Sequence, residues 1–112
     1  MERAAMIATA TRYLDALVSH VGDALPLAEG CWRVERGRNT GRTGDEIRAQ
    51  LATEIMHGIT GYRDVRWFVE GENAVAFYTL EAYGMEVEIA ERFLVRDGEI
   101  YEIEAIFELP RS

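Results

Sequence analysis

At Tyr62 the repeat of apolar residues changes from three-and-four to two, and the rest of the chain alternates. Helical spacing followed by strand spacing segregates the helices from the strands, so the expected class is α+β, with helices packed on one face of a curved antiparallel or mixed sheet. Before the switch, residues from about Ala4 to Val21 place Met6, Ala10, Tyr13, Leu14, Leu17, Val18 and Val21 on one stripe, an amphipathic helix. Thr43-Gly44-Asp45-Glu46 reads as a capping box opening a second helix that carries Ile47, Leu51 and Ile55 and ends near Gly58. Between them, Pro26 and Gly30 leave room for at most a short helix. Cys31–Arg36 reads as a short strand, and the glycines at 37, 41 and 44 as a turn. After the switch come four strand-like runs, Arg63–Glu70, Asn73–Tyr83, Met85–Arg96 and Glu99–Leu109. Gly71-Glu72-Asn73, Gly84 and Asp97-Gly98 separate them as hairpin punctuation.

Composition narrows the chemistry. At 112 residues one domain over 1–112 is expected. The net charge of −8 opposes binding to nucleic acid, and no apolar run reaches the length that spans a membrane. All 12 basic residues are arginine, so no lysine is present for Schiff-base chemistry or a phosphate-binding loop. A single cysteine, Cys31, suits a reducing compartment, and a cytoplasmic location is expected. Two serines, at 19 and 112, and two histidines, His20 and His57, make a serine triad or a structural zinc site improbable; both histidines read as cations near helix C-termini. Carboxylates, tyrosines, arginines and backbone amides remain for chemistry, and no metal or organic cofactor is implied.

The acidic excess sits after residue 66, where 11 acids face three arginines. Most of it alternates outward, as in Glu86, Glu88, Glu102 and Glu104, and reads as a solvated sheet face bridged by Arg92 and Arg96. Glu91 breaks the pattern. It shares a face with Met85, Val87, Ile89, Phe93 and Val95, which turns a carboxylate toward the core or a cavity. Such a group must be paired, protonated or facing a pocket. Arg33 and Arg66 are the candidate partners in the first case; in the second, dry surroundings make Glu91 a proton or hydrogen-bond donor. Tyr13, on the helix stripe, is either core or chemistry, and the inward face of the segment containing Glu35 is open. The run Asn73–Tyr83 is apolar on both sides, which suggests a second buried surface, most simply a homodimer interface.

The element order from Tyr13 to Phe107 resembles the cone-shaped nuclear transport factor 2-like superfamily. Within it, Arg12-Tyr13-Leu14-Asp15-Ala16-Leu17, Arg42-Thr43-Gly44, Glu91-Arg92-Phe93 and Asp97-Gly98 look like the ketosteroid isomerase and SnoaL-like polyketide cyclase branches. The resemblance implies an oxyanion-hole tyrosine at Tyr13, a general base at Glu35 and a protonated carboxylic acid at Glu91. Both carboxylates are glutamates where the family has aspartates, and the stretch between Tyr13 and Arg33 is shorter and carries Pro26. The expectation is a small acid–base enzyme of isomerase, cyclase or lyase type, acting on a small hydrophobic carbonyl or hydroxyl compound. Its alternatives are a non-catalytic ligand-binding or dimerisation module of the same fold, or an acidic adaptor for a basic partner.

Overall fold

The computed structural model describes residues 1–109. Helix α1 runs Arg3–Ser19: the Glu2 carboxylate caps it by accepting from the Ala5 N–H at 2.8 Å, and His20, in the left-handed region at φ 63°, ends it. Val21, expected on the buried stripe, lies beyond that stop and is 64% exposed.

Strand β1 spans Leu27–Glu35, so the segment expected to break at Pro26 and Gly30 is the start of the sheet. The carbonyl of Pro26 accepts from the Ile100 N–H at 2.7 Å, and Gly30 lies in the register irregularity between Leu27 and Trp32. Both supposed breakers thus serve strand entry and a bulge, the two places a sheet tolerates them. The glycine run is only partly a turn. Arg36 and Gly37, both at positive φ, make a two-residue hairpin, and β2 (Arg38–Gly41) pairs back on β1.

Helix α2 covers Gly44–Leu51, capped by Thr43 Oγ1 on the Glu46 N–H at 3.1 Å; the Glu46 carboxylate turns to the Arg42 N–H and not to that of Thr43. It stops earlier than expected. The hydroxyl and N–H of Thr53 both donate to the Gln50 carbonyl, tightening the chain into a turn, and Ile55–Gly58 is a 3-10 segment that leaves Ile55 76% exposed.

Four long strands follow, β3 (Ile59–Glu70), β4 (Asn73–Ala82), β5 (Met85–Arg96) and β6 (Glu99–Phe107). The six strands lie in the order β2-β1-β6-β5-β4-β3, antiparallel throughout except for the parallel pair β1–β6. The architecture is α+β. Met6, Ala10, Tyr13, Leu14 and Leu17 of α1 are buried against the inner sheet face, where Ala74, Ala76, Phe93, Val95, Ile100 and Ile103 are also buried. On the outer face Arg92 bridges Glu102 and Glu104 at 3.2 and 3.3 Å; Arg96, expected to join it, pairs instead with Glu72 across the β3–β4 turn. Among the described residues no helix is long and apolar enough to cross a membrane.

Candidate functional site

Cross-strand register explains where the site forms. On the inner face Glu91 has Ala76 beside it on β4 and Ala105 on β6, and Ala105 in turn neighbours Glu35 on β1. Two alanines beside a carboxylate leave space that larger side chains would fill. One level below, Phe93 lies between Ala74 and Ile103, with Arg33 next along. One level above come Tyr78, Ile89 and Phe107. The result is a cavity of about 200 Å³ to which Tyr13, Glu35, Tyr78 and Glu91 contribute the polar groups; Leu17, Leu80, Val87 and Ile89 supply apolar wall, and Met56, Tyr83 and Met85 also line it. Glu35 and Glu91 stand in one row two strands apart, about 10 Å between backbones.

The inward face of β1 is thereby settled: Cys31 and Arg33 are buried, and the Glu35 side chain is one-third exposed at the cavity. Tyr13, Glu35 and Glu91 all line the same space. Among the described residues no guanidinium pairs with Glu91. Its Oε1 accepts from the Tyr78 hydroxyl at 2.6 Å. Burial pushes its carboxyl up to about 7; the Tyr78 hydrogen bond opposes that rise, Glu35 adds to it, and Arg33 opposes it. Arg66, the other candidate partner, is exposed on the outer face, its guanidinium over the Phe77 ring.

Arg33 serves Tyr13 instead. Its Nη1 donates to the Tyr13 hydroxyl oxygen at 3.0 Å, Nε donates to Thr40 Oγ1 at 2.9 Å, and Nη2 donates to the Thr40 carbonyl at 3.0 Å and to Gln50 Oε1. Glu35 lies 3.7 Å from Nε. With its oxygen occupied as an acceptor, the Tyr13 hydroxyl retains its own hydrogen to donate. Burial raises the Tyr13 phenol well above its ordinary value against the pull of Arg33, so it stays protonated at neutral pH. Tyr78, the partner of Glu91, escaped sequence reasoning because β4 is apolar on both sides and only the register shows which residues meet Glu91. Neither histidine lines this space: His57 Nδ1 contacts the carbonyl of Thr53, in the turn after α2, at 2.8 Å, and His20 Nε2 contacts the carbonyl of Ile59.

A raised carboxyl makes stability depend on pH in a definite direction. Between the ordinary glutamate value near 4.5 and about 7 the folded chain holds a proton on Glu91 that the unfolded chain has released. Stability from this group is therefore full below pH 4.5 and lost as pH rises through 7, by on the order of 3 kcal/mol. Glu91→Gln removes that slope. Urea unfolding of both proteins at pH 5 and pH 8 is expected to show the wild type losing about 2–3 kcal/mol relative to the variant. A difference that does not change with pH means that the carboxyl ionises freely in the fold.

A family model described as a domain of unknown function (DUF8021) matches residues 1–107. No curated protein matches the sequence. Among solved structures, an NTF2-like protein of unknown function from Burkholderia xenovorans superposes with a TM-score of 0.79 at 14% identity, over 97% of this chain and 87% of that one. A steroid delta-isomerase from Pseudomonas aeruginosa gives 0.72 at 14% identity, over 96% and 82%. A candidate SnoaL-like polyketide cyclase from Jannaschia gives 0.73 at 16% identity, over 96% and 91%. At these identities the likeness is one of fold, and it agrees with the α+β order of helices and strands described above. The chain belongs to the DUF8021 family, and its fold is that of the NTF2-like proteins.

Proposed function

We propose that the chain is a small acid–base enzyme whose substrate is a small apolar compound bearing a carbonyl or an acidic hydroxyl. The observation that carries this reading is the convergence of two carboxylates of different exposure and a protonated phenol on one mainly apolar cavity. Glu35, at the more open end, takes a proton from the carbon beside the carbonyl. The electron pair moves to the carbonyl oxygen, which accepts hydrogen bonds from the Tyr13 hydroxyl and from protonated Glu91. Return of the proton to another carbon completes an isomerisation; attack of the enolate on a second carbonyl, or loss of a leaving group, gives cyclase or lyase chemistry. Tyr78 holds Glu91 Oε1, so the second carboxyl oxygen is the one that carries the donated hydrogen.

Deuterium exchange tests the first step without knowledge of the natural substrate. With 2-tetralone as the probe in heavy water, NMR is expected to show faster exchange at the carbons next to the carbonyl than in buffer. Glu35→Gln is expected to slow it at least about 100-fold while circular dichroism stays unchanged. Tyr13→Phe is expected to raise the rate barrier by about 2–4 kcal/mol through loss of one oxyanion donor. Binding of the probe with no exchange makes the protein a ligand-binding module instead, and catalysed exchange insensitive to Glu35 gives the role of base to another group.

A further inference from the structure

The open end of the cavity carries cations that the acid–base chemistry does not use. The row that holds the two carboxylates continues past them to the edge of the sheet, where Glu35 on β1 stands directly opposite Arg38 on β2. Opposed residues of an antiparallel pair share a face, so Arg38 is on the cavity side. Two residues along, Thr40 is on the same face, and its Oγ1 accepts from Arg33 Nε. With Glu35, Arg36 and Phe107, these two line an open groove of about 510 Å³. Glu35 and Phe107 line the inner cavity as well, so the two spaces adjoin. The Arg36 guanidinium lies over the Phe107 ring at 5.8 Å. Among the described residues neither Arg36 nor Arg38 forms an ion pair, since Glu35 turns to Arg33. From Leu27 to Arg42 there are four arginines against two glutamates, on a chain of net charge −8. An acidic molecule thus presents one positive corner, and it does so at the mouth of its own cavity.

We infer that Arg36, Arg38 and the Thr40 hydroxyl form a subsite for an anionic group, so that the substrate is an acid with an apolar body, its carbonyl between Tyr13 and Glu91 and its carboxylate in the groove. The assignment rests on the acid–base reading of the cavity for the carbonyl end. At the other end, planar guanidinium groups hold a carboxylate through paired N–H donors, and Thr40, whose oxygen is taken by Arg33, has its hydrogen to give. Distance sets the size of the ligand. Glu91 and Arg38 are three strands apart, about 14 Å between backbones. Seven carbon–carbon bonds between carbonyl and carboxylate span roughly 9 Å, and the arginine side chain covers the rest. A ligand tied in this way lays the carbon on the tail side of its carbonyl over Glu35, which stands between the two ends.

The keto acid 8-oxononanoate and its methyl ester, which lacks only the charge, are the probes. Calorimetric titration of the full chain is expected to show the acid binding at least about 10-fold more tightly than the ester, a preference that shrinks with added salt. Arg36→Gln and Arg38→Gln are each expected to reduce that preference, and the double variant to abolish it. Arg63→Gln removes the same charge from β3, at the opposite edge of the sheet, and is expected to leave the preference in place. No binding of the acid, equal affinity for acid and ester, or a preference that survives the double variant overturns the subsite, even where both probes exchange deuterium beside the carbonyl. An arginine-dependent preference with no exchange in either probe sustains the subsite and removes the acid–base reading instead.

Discussion

Arg33→Met is expected to lower the free energy of unfolding by about 3 kcal/mol, measured by urea denaturation at pH 7. Arg33 is 5% exposed and its donors serve the Tyr13 hydroxyl, the hydroxyl and carbonyl of Thr40 and the side chain of Gln50. Methionine keeps the stem but takes the guanidinium donors from the buried Tyr13 hydroxyl and from the half-buried Thr40 Oγ1 and Gln50 Oε1, while the Thr40 carbonyl keeps the Gln50 amide at 3.0 Å. Glu35 loses a cation at 3.7 Å, though its partial exposure lets water replace much of that contact. Against the loss stands one gain, since the fold no longer buries a guanidinium; the expected cost is the balance of the two. Arg63 is the control. It contacts Asp64, Glu81 and Glu86 in more ion pairs than Arg33 makes, but on the surface, and Arg63→Met is expected to cost less than about 1 kcal/mol. A loss at Arg33 no larger than at Arg63 means that the buried network contributes nothing beyond charge pairing.

Phe93→Ala is expected to cost about 3–5 kcal/mol, more than the loss of the Arg33 network. The ring is fully buried, sits edge-on to Tyr13 with centroids 5.6 Å apart and lies 6.2 Å from the Trp67 ring, beneath the level that carries Glu91. Its neighbours across the strands, Ala74 and Ile103, cannot collapse into the space, because one is already minimal and both are held by sheet hydrogen bonds. The new void would also remove the surface against which Tyr13 is set. Ile55→Ala, at 76% exposure, is expected to change stability by under about 0.5 kcal/mol although it too truncates a large apolar side chain. Chemical denaturation with an unchanged m-value separates a lost core contact from a change in the unfolded chain. A cost at Phe93 below about 2 kcal/mol would place the rigid centre of the fold elsewhere.

Period and punctuation in the sequence are enough to determine the class of architecture, the four long strands to within a few residues at either end, and the inward turn of Glu91. Those features are local: alternation dictates which side chains share a sheet face, and a threonine three residues before a glutamate dictates a helix start. Where local reading fails, the failures share a cause. Pro26, Gly30 and the glycine run after Arg36 look like breaks in isolation, yet each is accommodated by a partner strand, β6 for the first two and β1 for the last. The end of α2 depends likewise on a competing turn at Thr53. What only the tertiary structure decided is which groups meet. Arg33 could be expected near Glu91, but the register puts it one level below, where it bonds Tyr13, while Tyr78 reaches Glu91 from the next strand. A periodic pattern states which way a side chain points and says nothing of its neighbour across the sheet. That neighbour is set by strand order and register, long-range quantities that the packing of the whole chain determines.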